Sequence, residues 1–200
     1  MFTHLRPALV LMVIFTLLTG LAYPLAMTGV ANLIFPSQAT GSLVSKGDIV
    51  VGSSMIGQNF TKPEYFHGRP SATTDTDPND STKQIPAPYN ASNSGGSNLA
   101  PTTKALADRV KADVEALQAD NPGVPVPGDL VTTSASGLDP DISPDAARFQ
   151  IKRVAKARNL PEAIVTDLVT QHITGRLLGL IGEPYVNVLA LNMALDGIKK

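Results

Sequence analysis

Two hundred residues carrying 16 Lys and Arg against 17 Asp and Glu leave a formal net charge of −1. There is no basic excess to neutralise a phosphate backbone, which excludes nucleic acid as a partner. The chain has no cysteine, which excludes disulfides, thiolate metal sites and a thiol nucleophile and leaves the redox compartment open.

The first feature along the chain is a run without a charged side chain, from Pro7 to Ser45, bounded by Arg6 and Lys46. Its apolar heart exceeds the ~18 residues that suffice to cross a hydrocarbon core. A transmembrane helix is expected over about residues 8–35, within an amino-terminal segment 1–38. One domain, 39–200, should follow, large enough for its own core. The hydrophobic region of a cleaved signal is about 7–15 residues, shorter than this run, although the small residues Gly29 to Ala31 leave cleavage open. Pro24 lies in mid-span, where neighbouring helices must satisfy the freed backbone. Gly20, Ala22, Ala26 and Gly29 permit their close approach, though small residues are common in any membrane helix. Arg6, His4 and the terminal amine flank one end, while Lys46 is balanced by Asp48 at the other. This asymmetry puts the amino terminus in the cytoplasm and the domain outside.

Within the domain, Asp48 to Gly52 reads as a short strand ending at Ser53-Ser54. Gly57 to Pro70 mixes aromatics with turn formers and has no helical period. From Ser71 to Asn98 Ser, Thr, Asp, Asn, Gly and Pro dominate, and Pro78, Pro86 and Pro88 forbid helix, so a long loop is expected. Pro101 fits a first helical turn, and Leu106, Val110, Val114 and Leu117 recur at helical spacing until Asn121-Pro122-Gly123. A second helix should start at Ser143, a good cap followed by Pro144 and Asp145. It turns Ala147, Ile151 and Val154 inward and Arg148, Lys152, Arg153 and Lys156 outward. A third should run from Pro161 to about Gly175, with His172 near its end as a cap. Val186 to Leu191 reads as a strand or buried segment before a helical turn at Asn192 to Ile198. The fold class is α+β with a small sheet.

Site signatures are sparse. The sequence has no GxxxxGK[ST] loop, no Asp-Lys-Thr-Gly phosphoryl acceptor and no GxSxG nucleophile elbow, so a membrane-anchored hydrolase has no nucleophile to point to. Tyr65-Phe66-His67-Gly68-Arg69-Pro70 sets two aromatics, a histidine and an arginine in a non-helical segment that either forms a site or packs on the core. Ser94, Gly95, Gly96, Ser97 and Asn98 offer backbone amides and polar side chains that would suit an anion or nucleotide at a helix start, or simply a turn. Asp75, Asp77 and Asp80 lie in the long loop as a cation-attracting or merely solvated acidic stretch.

In this order, several blocks resemble the C subunits of the Kdp-type potassium-transporting ATPases of bacteria and archaea. They are Leu5-Arg-Pro-Ala, Gly52-Ser-Ser-Met-Ile-Gly-Gln-Asn-Phe, Tyr65-Phe-His-Gly-Arg-Pro-Ser-Ala, Pro88-Tyr-Asn and Ser94-Gly-Gly-Ser-Asn-Leu. Asp129-Leu-Val-Thr-Thr-Ser-Ala-Ser-Gly-Leu-Asp, Ile142-Ser-Pro, Gln150 with Arg153-Val-Ala-Lys-Ala-Arg-Asn-Leu, and Gly182-Glu-Pro with Val186-Asn-Val-Leu-Ala-Leu-Asn complete the series. The stretch between Thr73 and Ala87 is longer than the usual connection.

The resemblance implies a subunit with no catalytic residues or cofactor of its own in an ATP-driven, high-affinity potassium uptake complex of the plasma membrane. Its implied partners are a potassium-conducting channel-like subunit, a P-type ATPase catalytic subunit and a small single-helix subunit. It also implies a single-pass chain with a cytoplasmic amino terminus and an extracytoplasmic domain. The role would be to assemble or stabilise the complex and cover the outer potassium entrance. The family alternative is a regulator that binds ATP at Ser94 to Asn98 and raises the ATP affinity of the catalytic subunit.

Overall fold

A computed structural model describes residues 2–198, in two compact units, Met1–Ser53 and Ser54–Lys200. In the first unit, α1 (Leu5–Leu17), a π-helical turn (Leu18–Ala22) and α2 (Tyr23–Ile34) join into one 30-residue helix, Leu5–Ile34, long and apolar enough to cross a membrane. At 1.5 Å per residue it reaches about 45 Å, which covers a ~30 Å hydrocarbon core with room for tilt. The wide turn has a local cause. Pro24 has no N–H for the Gly20 carbonyl and its ring crowds that carbonyl, so the helix loosens just before it. Large apolar side chains are exposed along the helix, from Leu5 to Ile34. Beyond a short α3 (Pro36–Ala39), β1 (Leu43–Lys46) pairs antiparallel with β2 (Ile49–Ser53). The expected strand is thus half of a hairpin, and its turn uses Gly47 at φ +63°.

The second unit departs from the expected long loop at once. β3 (Thr74–Asp77) and β4 (Asp80–Pro86) form an antiparallel hairpin closed by Asp77-Pro78-Asn79-Asp80, with the Asn79 N–H donating to Asp77 Oδ1 at 2.8 Å. Both faces of this hairpin carry Thr, Asp, Ser and Gln, so no apolar alternation announces it. α4 (Lys104–Asp120) begins after Pro101, which lies in the turn before it. α5 (Pro144–Arg158) starts as expected: Ser143 Oγ accepts the Ala146 N–H at 3.0 Å, and Asn159 ends the helix at φ +55°. α6 (Glu162–Gln171) stops short of Gly175, capped by His172, whose Nδ1 lies 2.8 Å from the Leu168 carbonyl.

The core sheet is small and antiparallel, in the order β5 (Asp141–Ile142), β7 (Tyr185–Asn187), β6 (Ile173–Thr174). Val186 to Leu191, expected as strand or buried segment, is mostly helix. α7 (Val188–Asp196) begins after Asn187, whose Oδ1 accepts the Ala190 N–H at 3.0 Å. Phe66, Val154, Val165, Val169, Val186, Leu191 and Leu195 are fully buried and join α5, α6, α7 and the sheet in one core. The class is α+β with small sheets behind one long apolar helix.

Candidate functional site

After a tight turn in which the Tyr65 N–H donates to the Lys62 carbonyl at 3.1 Å, Phe66 to Arg69 runs beside α5 and α7 without a strand partner, and side chains take the partner's place. The Phe66 N–H donates to Asn192 Oδ1 at 2.9 Å, and Asn192 Nδ2 donates back to the Phe66 carbonyl at 3.0 Å. One residue on, the His67 N–H donates to Gln150 Oε1 at 2.8 Å while Gln150 Nε2 returns a bond to the His67 carbonyl at 3.1 Å. A primary amide presents one acceptor and two donors, so each side chain imitates the edge of a neighbouring strand.

Two arginines extend the lacing. Arg153 Nη1 donates to the carbonyls of Pro63 and Tyr65 at 2.7 and 3.0 Å, and its Nη2 to Gln150 Oε1 at 2.6 Å. Arg153 was expected on the solvated face of α5; instead it lies against this segment, where burial lowers its pKa. Arg158 Nε donates to the Glu64 carbonyl at 2.8 Å and its Nη2 to Asp196 Oδ1 at 2.7 Å, with the guanidinium 4.8 Å from the Tyr65 ring centre. Arg158 lies one residue beyond two turns from Gln150, so helical periodicity brings it to the same side of α5.

Beyond Arg69 the loops knot together. Arg69 Nη1 bonds Asp139 Oδ2 at 3.0 Å, Tyr89 Oη donates to the Arg69 carbonyl at 2.7 Å, and Ser71 Oγ donates to the Gly137 carbonyl at 2.7 Å. Thr73 Oγ1 donates to the Ala87 carbonyl at 2.6 Å. Two glycines are required by this approach. A Cβ on Gly57 would lie 2.5 Å from the Asp139 carbonyl oxygen. Gly137, at φ +69°, would meet the Gly95 carbonyl oxygen at 2.7 Å.

Ser94 to Asn98 belongs to the same knot. The Gly95 N–H and Ser94 Oγ both donate to the Ser136 carbonyl, at 2.9 and 3.0 Å, and Thr133 Oγ1 donates to Ser97 Oγ at 3.2 Å. A Cβ on Gly96 would lie 2.9 Å from the Ala135 carbonyl oxygen, and Asn98 adopts φ +51°. α4 starts only at Lys104, so these residues pack on the 133–137 loop and do not form the first turn of a helix.

A cleft of about 510 Å³ adjoins the junction, with Asn59, His67, Arg69, Tyr89, Asp113 and Gln150 in its walls. Burial, reinforced by the nearby Arg153 charge, lowers the His67 pKa, against the smaller opposing pull of the Lys62 carbonyl 3.0 Å from its Nε2. Burial, with Asp139 close by, pushes the Tyr89 hydroxyl up to about 12. Near neutral pH the walls therefore present a neutral imidazole, a protonated phenol and an arginine already paired. Tyr89 and Arg69 hold the chain by hydrogen bonds to the Arg69 carbonyl and to Asp139. Among the described residues no cluster of three or more His, Asp or Glu is placed to hold a metal ion.

The family model for the c chain of K+-transporting ATPases matches residues 5–197. The chain belongs to the KdpC family. It is similar to the potassium-transporting ATPase KdpC subunit of Methylobacterium nodulans, 69% identical over 196 residues that cover 98% of each chain. The corresponding subunit of Bradyrhizobium diazoefficiens is 66% identical over 196 residues, again 98% of each chain. That of Rhodopseudomonas palustris is 65% identical over 199 residues, the full length of both. In this KdpC chain the blocks at Tyr65, Pro88, Ser94 and Asp129 meet in the junction, and those at Gln150 and Val186 supply Gln150, Arg153, Arg158 and Asn192 to lace it. The blocks were legible in sequence. That their polar residues bind the protein's own backbone was not.

Proposed function

We propose that the chain is a non-catalytic accessory subunit of an ATP-driven potassium uptake complex. Its single span packs among the membrane subunits: the channel-like potassium-conducting subunit, the P-type catalytic subunit and the small single-helix subunit. Its domain stands on the extracytoplasmic side and covers the potassium entrance. The observation that carries this reading is the commitment of Gln150, Arg153, Arg158 and Asn192 to main-chain groups of Pro63 to His67. Polar residues used in this way build a rigid platform, which suits a part that holds others in place. The long helix with exposed apolar side chains on every side supports the same reading, because a lone helix of this kind needs lipid or neighbouring helices around it.

Purified complex lacking this chain should lose potassium-dependent ATP hydrolysis, and its other subunits should co-purify poorly. Full activity in a stable complex without the chain would contradict an assembly role. The nucleotide-regulator reading rests on Ser94 to Asn98, whose Ser94 and Asn98 are exposed while the Gly95 amide is engaged by Ser136. Saturable heat on titrating ATP into the full-length chain in detergent, lost on Ser94→Ala with Asn98→Ala, would favour it over the accessory role.

A further inference from the structure

The second unit carries an apolar projection that the proposed function does not use. Leu177-Leu178-Gly179-Leu180-Ile181 forms the tip of a tight turn, with its large side chains 66%, 85%, 83% and 62% exposed in order. Exposed apolar side chains gathered in one patch mark a surface that meets another apolar phase. The tip is ordered by its own backbone. The Leu177 N–H donates to the Ile181 carbonyl at 2.9 Å, and the Leu180 and Ile181 N–H groups return to the Leu177 carbonyl at 3.1 and 3.0 Å. The Gly179 N–H donates to the Arg176 carbonyl at 3.0 Å.

We propose that this tip inserts into the bilayer interface on the side where the domain lies. Three observations select lipid over a protein pocket. The tip is purely aliphatic, whereas protein–protein anchors are enriched in Trp, Tyr and Arg and poor in Leu. Four of its five amides are bonded within the turn, as a segment entering hydrocarbon requires. The charges at its base cancel, with Arg176 Nη2 bonded to Glu183 Oε2 at 2.6 Å, and the partly exposed Tyr185 follows two residues on, an aromatic type that favours the membrane–water interface. The same chain carries a helix long and apolar enough to span a membrane, and such a tether raises the effective concentration of the domain at that surface. The insertion is a second contact with lipid and does not depend on the subunit role.

The absence of cysteine makes the test direct. Leu178→Cys and, separately, Leu180→Cys in the full-length chain are labelled with an environment-sensitive dye and reconstituted in phosphatidylcholine nanodiscs. Adding a lipid with an acyl-chain nitroxide should quench both, as it quenches a dye at Leu33→Cys near the end of the span, and should leave a dye at Asn79→Cys unquenched. Tip dyes that behave like the Asn79 dye would overturn the proposal. Dyes that become shielded only in the assembled complex, without lipid quenching, would assign the tip to a protein partner and overturn it equally.

Discussion

His67 is held as a neutral ring, and its protonation sets a sign that can be measured. Burial and Arg153 lower its folded pKa below the ordinary 6.5. Above that value the ring is neutral in both states and adds no pH dependence. As pH falls through it, the unfolded chain takes up a proton that the folded chain resists, so stability declines until the folded pKa is passed. Burial raises the pKa of Asp141, which acts in the opposite direction, so the informative quantity is a difference. Thermal unfolding of the full chain between about pH 7 and about pH 5 should show the midpoint of the parent falling more steeply than that of His67→Gln. Parallel curves would mean that His67 is not the group resisting the proton. Asn192 gives the second test at this scale. It is 2% exposed, and Asn192→Leu would strand the buried N–H and carbonyl of Phe66. At about 1–3 kcal/mol for each orphaned group, denaturant unfolding should report a loss of ~2–6 kcal/mol. A change within ~0.5 kcal/mol would show the pairing to be dispensable.

Elements whose ends are written locally were legible, and those defined by distant partners were not. Ser143-Pro144-Asp145 fixes the start of α5 because a cap, a ring with no N–H and an acid each act within one turn. The start of α7 had the same kind of signal in Asn187, obscured by an apolar run that suits strand and helix alike. The β3–β4 hairpin gave no periodicity because neither face is buried, and Pro78, read only as a bar to helix, sits in its turn. In the long helix, Pro24 marked the irregularity, and the π-helical turn before it is the form that irregularity takes. Gly20 and Gly29 have nothing within 4 Å of a built Cβ, so replacing both with Leu costs the isolated chain little and acts only where another helix comes close. The double variant should insert normally yet recover less of the other subunits on co-purification. Unchanged recovery would leave the helix as a plain anchor.

At the scale of the whole molecule, one apolar span followed by one α+β domain was readable from charge and hydropathy alone, because a hydrocarbon core imposes a length on any helix that crosses it. The junction was not readable. Its bonds join Pro63 to Arg153, Glu64 to Arg158 and Phe66 to Asn192, and pairings so distant along the chain leave no mark on local spacing. The sequence blocks pointed to the right residues for a reason other than chemistry: their side chains tie loops together through main-chain groups. The proposed role puts the domain on the side from which potassium enters. That orientation is open to one measurement. Asn79→Cys, the sole thiol in the chain and exposed at the β3–β4 turn, is treated with a membrane-impermeant maleimide in spheroplasts and in inverted vesicles. The account predicts labelling in intact spheroplasts and protection in inverted vesicles; labelling only in inverted vesicles would put the domain in the cytoplasm and contradict it.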